Sequence, residues 1–272
     1  DTVTATYTVL ASGGVGGLYR HSTNFRHLTG DALAIAGKHN IELQNPDYVQ
    51  IHPTTFYTKH PEDRSFLISE SVRGEGARLY DKNMNRFVNE LLPRDLLSQK
   101  IHEQMAKDDT DFVWEDLRTI PAETLRHHFP NIVEHCREMG YDVFKECIPV
   151  VPAQHYFMGG VKVDYQSRSS MENLYVVGEA ACNGVHGKNR LASNSLLESL
   201  VFARRAAQDM AEHDLKNASP QNAIEVADYL ASHVDFTPYQ DIQTLAKTYH
   251  HLATQAITLG QNPEGRKEFL YV

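Results

Sequence analysis

No stretch of the 272-residue sequence is apolar for anything near the roughly 20 residues that a helix needs to span a bilayer. No leader with a basic start and an apolar middle opens it either. A basic excess is missing as well. The formal net charge is −9, which argues against nucleic acid or an anionic membrane surface as the main partner, while leaving room for one locally basic cleft. Cysteine is scarce: Cys136, Cys147 and Cys182 are odd in number and form no Cys-x-x-Cys pair, which fits a reduced, cytoplasmic setting. The fifteen histidines are scattered, and the adjacent pairs His127-His128 and His250-His251 face different ways on a helix, so no metal site is expected. What remains is a globular composition, 41% apolar and 22% charged, in a chain long enough for one large or two ordinary domains.

Four stretches are expected: 1–45, 46–156, 157–213 and 214–272. The first reads as a strand over Asp1–Ala11, from the alternation of Val3, Ala5, Tyr7 and Val9, entering the turn Gly13-Gly14-Val15-Gly16-Gly17 and then a helix from Asp31 to His39. A chain that opens in mid-sheet implies a preceding segment. The second stretch is mixed. It holds an amphipathic helix over Arg94–Lys107 with Leu97, Ile101 and Met105 on one side and Pro93 before it, where a missing N–H costs least. A second helix starts near Asn131, with Ile132, Val133, Cys136 and Met139 sharing a face and Gly140 placed to end it. The third stretch returns to α/β character: a buried strand Asn173–Val177, a Gly178-Glu179 turn, a loop, and a helix from about Ser195 to His213. The last stretch is helical and follows a linker at Asn217-Ala-Ser-Pro220.

The segment from Gly178 to Glu198 (GEAACNGVHGKNRLASNSLLE) has the logic of a dinucleotide site. A carboxylate at a strand end, Glu179, accepts from sugar hydroxyls. Gly184 and Gly187 let a ligand approach the backbone. A helix starting at Ser195 offers free N–H groups to partial negative charge. Ser195-Leu-Leu-Glu198 also reads as a capping box, and the two readings are compatible.

This segment resembles the flavin-binding signature of the succinate dehydrogenase and fumarate reductase flavoprotein family. Gln50-Ile-His-Pro-Thr54, Ser69-Glu-Ser-Val-Arg-Gly-Glu-Gly-Ala77, Pro93-Arg-Asp95 and His155-Tyr-Phe-Met-Gly-Gly160 follow in the family's order, over roughly residues 8–210. Phe129-Pro-Asn-Ile132, Val151-Pro-Ala-Gln-His155 and Leu191-Ala-Ser-Asn-Ser195 look more like its L-aspartate oxidase branch. The resemblance implies α/β plus α+β architecture: part of a Rossmann-like FAD-binding domain (1–45 and 157–213), an inserted α+β capping domain (46–156) and a helical C-terminal segment (214–272). It implies FAD as cofactor, held in part by Gly13, Gly14, Asp31, Glu179, Asn194, Ser195 and Leu196. It places Gln50, His52, Ser69, His155 and Arg190 around a C4 dicarboxylate, donors of the kinds such a ligand needs. Arg94 would handle the proton, supplied through Glu70 and Arg73; a purely electrostatic Arg–Glu–Arg network is the alternative.

The activity implied is oxidation of L-aspartate to iminoaspartate, the Cα hydride going to flavin N5, with oxygen or fumarate as electron acceptor. In the family the imine passes to quinolinate synthase for NAD biosynthesis. Two departures lie near the site, Ala32 for a glycine and Ser69 for a threonine. The family's opening Gly-x-Gly-x-x-Gly unit does not precede Asp1, so this piece alone is expected to hold flavin weakly and to be inactive. A fumarate reductase or succinate dehydrogenase subunit, or a non-catalytic fragment with weak dicarboxylate binding, are the alternatives.

Overall fold

The computed structural model describes residues 5–59, 64–217 and 241–260. In chain order the elements are β1 (Thr8–Leu10), α1 (Asp31–Lys38), β2 (Leu43–Gln44), β3 (Val49–Phe56), α2 (Glu70–Gly74), β4 (Arg78–Tyr80), α3 (Arg94–Asp108) and β5 (Val113–Asp116). They continue with α4 (Ala122–His128), α5 (Pro130–Glu138), β6 (Ile148–Phe157), β7 (Gly160–Lys162), β8 (Leu174–Val176), β9 (Ala181–Cys182), α6 (Asn194–Asn217) and α7 (Ile242–Gly260). The result is a mixed α/β fold.

The largest sheet is antiparallel in the order β3-β6-β5-β4. Its strands lie wholly between residues 49 and 157, a stretch read as mixed α+β in which the sequence singles out no individual strand. The reason is burial: β6 is buried at all but one position and β3 at most of its length, so neither shows the period-two alternation of a half-exposed strand. One apolar core joins this sheet to α2, α3, α4 and α5 through Val72, Leu97, Ile101, Leu125, Ile132 and Val150. Helix α3 starts where expected, with Pro93 as N-cap and the Pro93 carbonyl accepting from Leu97 N–H. In α5, Ile132 and Cys136 point inward, but Met139 is exposed, because it sits beyond the last helical turn, just before Gly140 reverses the chain at φ +88°.

Two smaller sheets lie at the other end. β1 pairs in parallel with β8, and β7 lies between β2 and β9. Strand β1 is shorter than the expected Asp1–Ala11: Ala5–Tyr7 fall outside it, and residues 1–4 lie outside the described residues. Its partner β8 is buried throughout, as its apolar run requires. Helix α6 runs on to Asn217, past His213, and so takes in the first residue of the expected linker; residues 218–220 of that linker lie outside the described residues. Helix α7 buries Ala253 and Ile257 with Leu33 of α1 and Phe157 of β6. Among the described residues no helix is long and apolar enough to cross a membrane.

The glycine turn is shaped by close packing. A Cβ on Gly14 would stand 2.5 Å from Glu179 Oε1, and one on Gly17 would stand 2.1 Å from the Arg26 carbonyl oxygen. Glycine here lets two pieces of the protein's own chain approach.

One core residue is out of keeping with its surroundings. Glu115 of β5 is fully buried, and neither carboxylate oxygen has a hydrogen-bond partner. Burial pushes its carboxyl up from 4.5 to about 7, against the opposing charge of Arg73 and with some repulsion from Glu90. In the unfolded chain it ionises near 4.5, so the fold binds the extra proton between these values. The stability this group contributes is therefore full below about 4.5 and lost as pH rises through about 7. Glu115→Gln should stabilise the protein by on the order of 3 kcal/mol above neutral pH and far less near pH 5. Thermal midpoints of the two proteins at about pH 5 and about pH 8 check this; a constant difference would show that Glu115 does not titrate with folding.

Candidate active site

Strands β3 and β6 bring the two motif histidines together through a paired irregularity. Val49 and Gln50 face Phe157 and Tyr156, but the next residues, Ile51 and His52, face Gln154 and Ala153. His155 is thus an extra residue on β6, a β-bulge. The register is restored by an extra residue on β3 at Pro53-Thr54, beyond which Thr55 and Phe56 face Val151 and Val150. The His52 and His155 rings then lie edge to face, 5.3 Å apart. Each is fixed through Nδ1: that of His52 lies 2.9 Å from the Thr54 carbonyl oxygen, and that of His155 lies 2.8 Å from Thr23 Oγ1. Both are held well below the usual histidine range. For His52 burial is the main cause, followed by His155, Arg73 and Arg94; for His155, at about 4, burial acts first and then Arg190 and Arg94. Both are neutral at pH 7.

The histidines line a cleft of about 710 Å³ together with Ser69, Glu70, Arg73, Arg94, Arg190, Ser195 and Leu196. Nine of the residues expected from the sequence therefore share one cavity. Arg94 leads α3 and reaches Glu70 Oε2 with Nε at 2.8 Å and Nη2 at 2.5 Å. Arg73 is 2% exposed and does not bond Glu70: its Nη1 donates to Thr54 Oγ1 and its Nε to the Glu90 carbonyl. Glu90 is a residue that sequence reasoning missed. Its carboxylate accepts from Arg86 and from Leu79 N–H, so it does not neutralise the cleft. Ser69 spends its hydroxyl on capping α2, accepting from Ser71 N–H.

Gln50 is buried and does not line the cleft; its Nε2 donates to Asn189 Oδ1 and to the Arg190 carbonyl, both at 2.8 Å, and its Oε1 accepts from Arg94 Nη1 at 3.4 Å. Gln50 therefore ties Arg94 to the backbone of Arg190 from behind.

The residues expected at the cofactor divide into groups. Gly14 and Glu179 meet beside Phe157, whose N–H donates to Glu179 at 2.8 Å, while Gly13 packs against Leu28; burial pushes the Glu179 carboxyl up to about 7. Asp31 is exposed at the start of α1, where it accepts from Thr29 Oγ1. Asn194, Ser195 and Leu196 form the first turn of α6. Ser195 and Leu196 face the cleft, and Asn194 lies on a neighbouring groove with Leu197 and Val201. The capping box does not form. Glu198 turns inward, its carboxylate accepting from Tyr156 Oη at 3.2 Å and Asn183 Nδ2 at 2.5 Å. Leu191, Leu196, Leu197 and Leu200 stand 64–72% exposed around this turn, a surface that a flat apolar ring system with polar edges would cover. These residues fit the ring end of a flavin.

The FAD binding domain family model matches residues 1–196. The chain belongs to that family. It is 55% identical over 202 residues to an L-aspartate oxidase of Clostridium perfringens, covering 74% of this chain and 46% of the relative. It is 44% identical over 218 residues to a chloroplastic L-aspartate oxidase of Nicotiana tabacum, covering 76% and 34%. An E. coli quinol fumarate reductase chain superposes with a TM-score of 0.72 at 33% identity, covering 83% of this chain and 42% of that one. A Mycobacterium smegmatis Sdh1 chain gives 0.67 at 30%, covering 92% and 44%. The chain thus spans less than half the length of these relatives. FAD, the cofactor of this family, supplies a hydride acceptor when bound.

An anion in this cleft would face two neutral histidines and three arginines, and it would raise both histidine pKa values. Binding of a small dicarboxylate to the full-length holoenzyme should therefore take up a fraction of a proton near pH 6, and affinity should fall as pH rises. Calorimetry in two buffers of different ionisation enthalpy measures the uptake; none at all would show that the histidines do not face the anion.

Proposed function

We propose that the full-length protein catalyses FAD-dependent oxidation of L-aspartate to iminoaspartate, with oxygen or fumarate as terminal acceptor. The observation that carries this is the cleft itself: Arg73, Arg94 and Arg190 converge with His52 and His155, while of the two glutamates that line it Glu70 is spent on Arg94 and Glu90 on Arg86 and Leu79 N–H. Such a site favours a small dianion over a neutral or cationic molecule. The identity to L-aspartate oxidases supports aspartate as the amino-acid substrate.

In this reading Arg190 and Ser69 take one carboxylate, and His52 and His155 donate Nε2–H to the other, in the tautomer whose Nδ1 accepts from Thr54 N–H and from Thr23 Oγ1. Arg94 stands at the reacting carbon, stabilising charge there and passing protons. Glu70 is the outlet: its side chain is 52% exposed while that of Arg94 is 11% exposed, so the pair leads from the cleft to solvent. Arg73, buried behind, adds positive charge and steadies Glu70 without bonding it. Residues 46–156 act as a cap that closes over the substrate and excludes water. The imine product then passes to quinolinate synthase. A succinate dehydrogenase or fumarate reductase subunit is the second reading, favoured by the superposition on the E. coli chain; assays with aspartate and with succinate separate the two.

Steady-state kinetics of the full-length enzyme test the roles. Arg190→Leu should mainly raise KM, since losing a charged pair inside a site costs roughly 2–5 kcal/mol. Arg94→Lys should mainly lower kcat, by about 10²–10³ for fumarate reduction and less for aspartate oxidation, because lysine lacks the planar fork that reaches the reacting carbon. Equal small losses in both reactions with a raised KM would make Arg94 a substrate ligand instead.

A further inference from the structure

We propose that Tyr156 and Glu198 form a clamp that holds Arg190 by the face of its guanidinium and so keeps its N–H edge free for a substrate carboxylate. The proposal rests on the dicarboxylate reading of the cleft and assigns Tyr156 as a positioning residue.

Arg190 is 6% exposed, yet among the described residues no carboxylate lies in ion-pair range of it. Its side chain makes two long contacts, 3.4 Å to the Leu191 carbonyl and 3.4 Å to Ser195 Oγ, and its buried Nε has no partner. A cation buried this way is costly unless something else compensates it. The compensation is the Tyr156 ring, which lies 4.5 Å from Arg190 Cζ.

The ring is itself prepared. Tyr156 Oη donates to Glu198 Oε2 at 3.2 Å, and the other Glu198 oxygen accepts from Asn183. His186 braces the ring edge-on at 5.5 Å. Tyr156 and Glu198 are both almost fully buried, so the phenol–carboxylate bond acts in a low dielectric. A phenol donating to a carboxylate carries more electron density in its ring, which strengthens its attraction for a cation stacked on it. Glu198 therefore balances Arg190 at one remove. A direct Glu–Arg pair would occupy the same N–H fork that the substrate needs; stacking occupies the face and leaves the fork open.

The test uses the full-length holoenzyme, with binding of fumarate measured by calorimetry alongside KM, kcat, flavin content and thermal midpoint. Tyr156→Leu should raise the fumarate dissociation constant about tenfold, the scale of a desolvated cation–π contact. Tyr156→Phe, which keeps the ring and loses the phenol, should raise it by about two- to fivefold. In each variant KM should rise by a larger factor than kcat falls. Glu198→Gln should match Tyr156→Phe alone and add nothing in the Tyr156→Phe background, because it acts through the phenol. Wild-type affinity in a folded Tyr156→Leu protein would overturn the clamp. So would an independent, additive effect of Glu198→Gln, or loss of flavin from that variant, which would make Glu198 a cofactor ligand. Failure of the wild type to bind any dicarboxylate would instead overturn the functional reading on which the clamp rests.

Discussion

The cleft depends on how β3 lies against β6. Two bulges of opposite sense, at His155 on β6 and at Pro53-Thr54 on β3, isolate a short run in a shifted register between stretches of ordinary pairing. The shift cannot spread, because a one-residue slip would turn every buried side chain on these strands to the wrong face. It brings His52 and His155 together, leaves Gln50 and Tyr156 opposite each other just beyond the bulge, and so sets the positions to which Arg94 and Arg190 are tied. Pro53 and Pro152 fall inside the irregular run, where a residue without an N–H breaks no regular ladder. The two histidines are thus anchored on a buried sheet, while Ser69, Glu70 and Arg73 come from the start and body of α2, Arg94 from the start of α3, and Arg190 from the loop before α6.

Charge in the cleft follows from where its acids are spent. The protein as a whole is acidic, yet the cleft is cationic, because Glu70 serves Arg94 and Glu90 turns to Arg86 and Leu79 N–H. Glu115 lies behind Arg73 at a depth where its carboxyl and the guanidinium are each penalised by burial, one pushed toward its neutral form and the other made less basic. Positive charge thus survives at the cleft because its acids are already bonded, or, like Glu115, lie buried and shifted toward the neutral form.

Local order was legible where one interaction dominates. Periodicity found α3 and α5, because each buries one apolar stripe, while α1 and α6 were marked by the motifs that precede them. The residue types that suit an anion were legible too, and the resemblance gathered them: His52, Ser69, Glu70, Arg73, Arg94, His155, Arg190, Ser195 and Leu196 do share one cavity. The central sheet was not legible, since strands buried on both faces lose their alternation. Nor were the bulges, which are decided by pairing between residues about a hundred positions apart. The bonding of Gln50 was not legible for the same reason: a buried amide and a ligand-facing amide have one sequence signature, and only the fold shows its two ends on Asn189, the Arg190 carbonyl and Arg94. A regularity in the sequence also signalled Glu90 poorly, as its bonds run to Leu79 and Arg86 on either side of a turn.

The start of α6 shows how a local rule yields to a tertiary one. Ser195 and Glu198 have the spacing of a capping box, in which the glutamate would return to the helix's own first N–H groups. The buried phenol of Tyr156 and the amide of Asn183 compete for the same carboxylate, and in a dry environment two good donors outbid an exposed backbone N–H that water can satisfy. Two consequences follow from this one choice. The carboxylate is removed from the helix terminus, where it would have repelled an anion or a polar ring edge, and the positive end of a 24-residue helix stays open beside the exposed leucines. The same carboxylate, turned inward, fixes the ring that carries Arg190. The open helix start beside the leucines and the seat of Arg190 are thereby both set by the single side chain of Glu198.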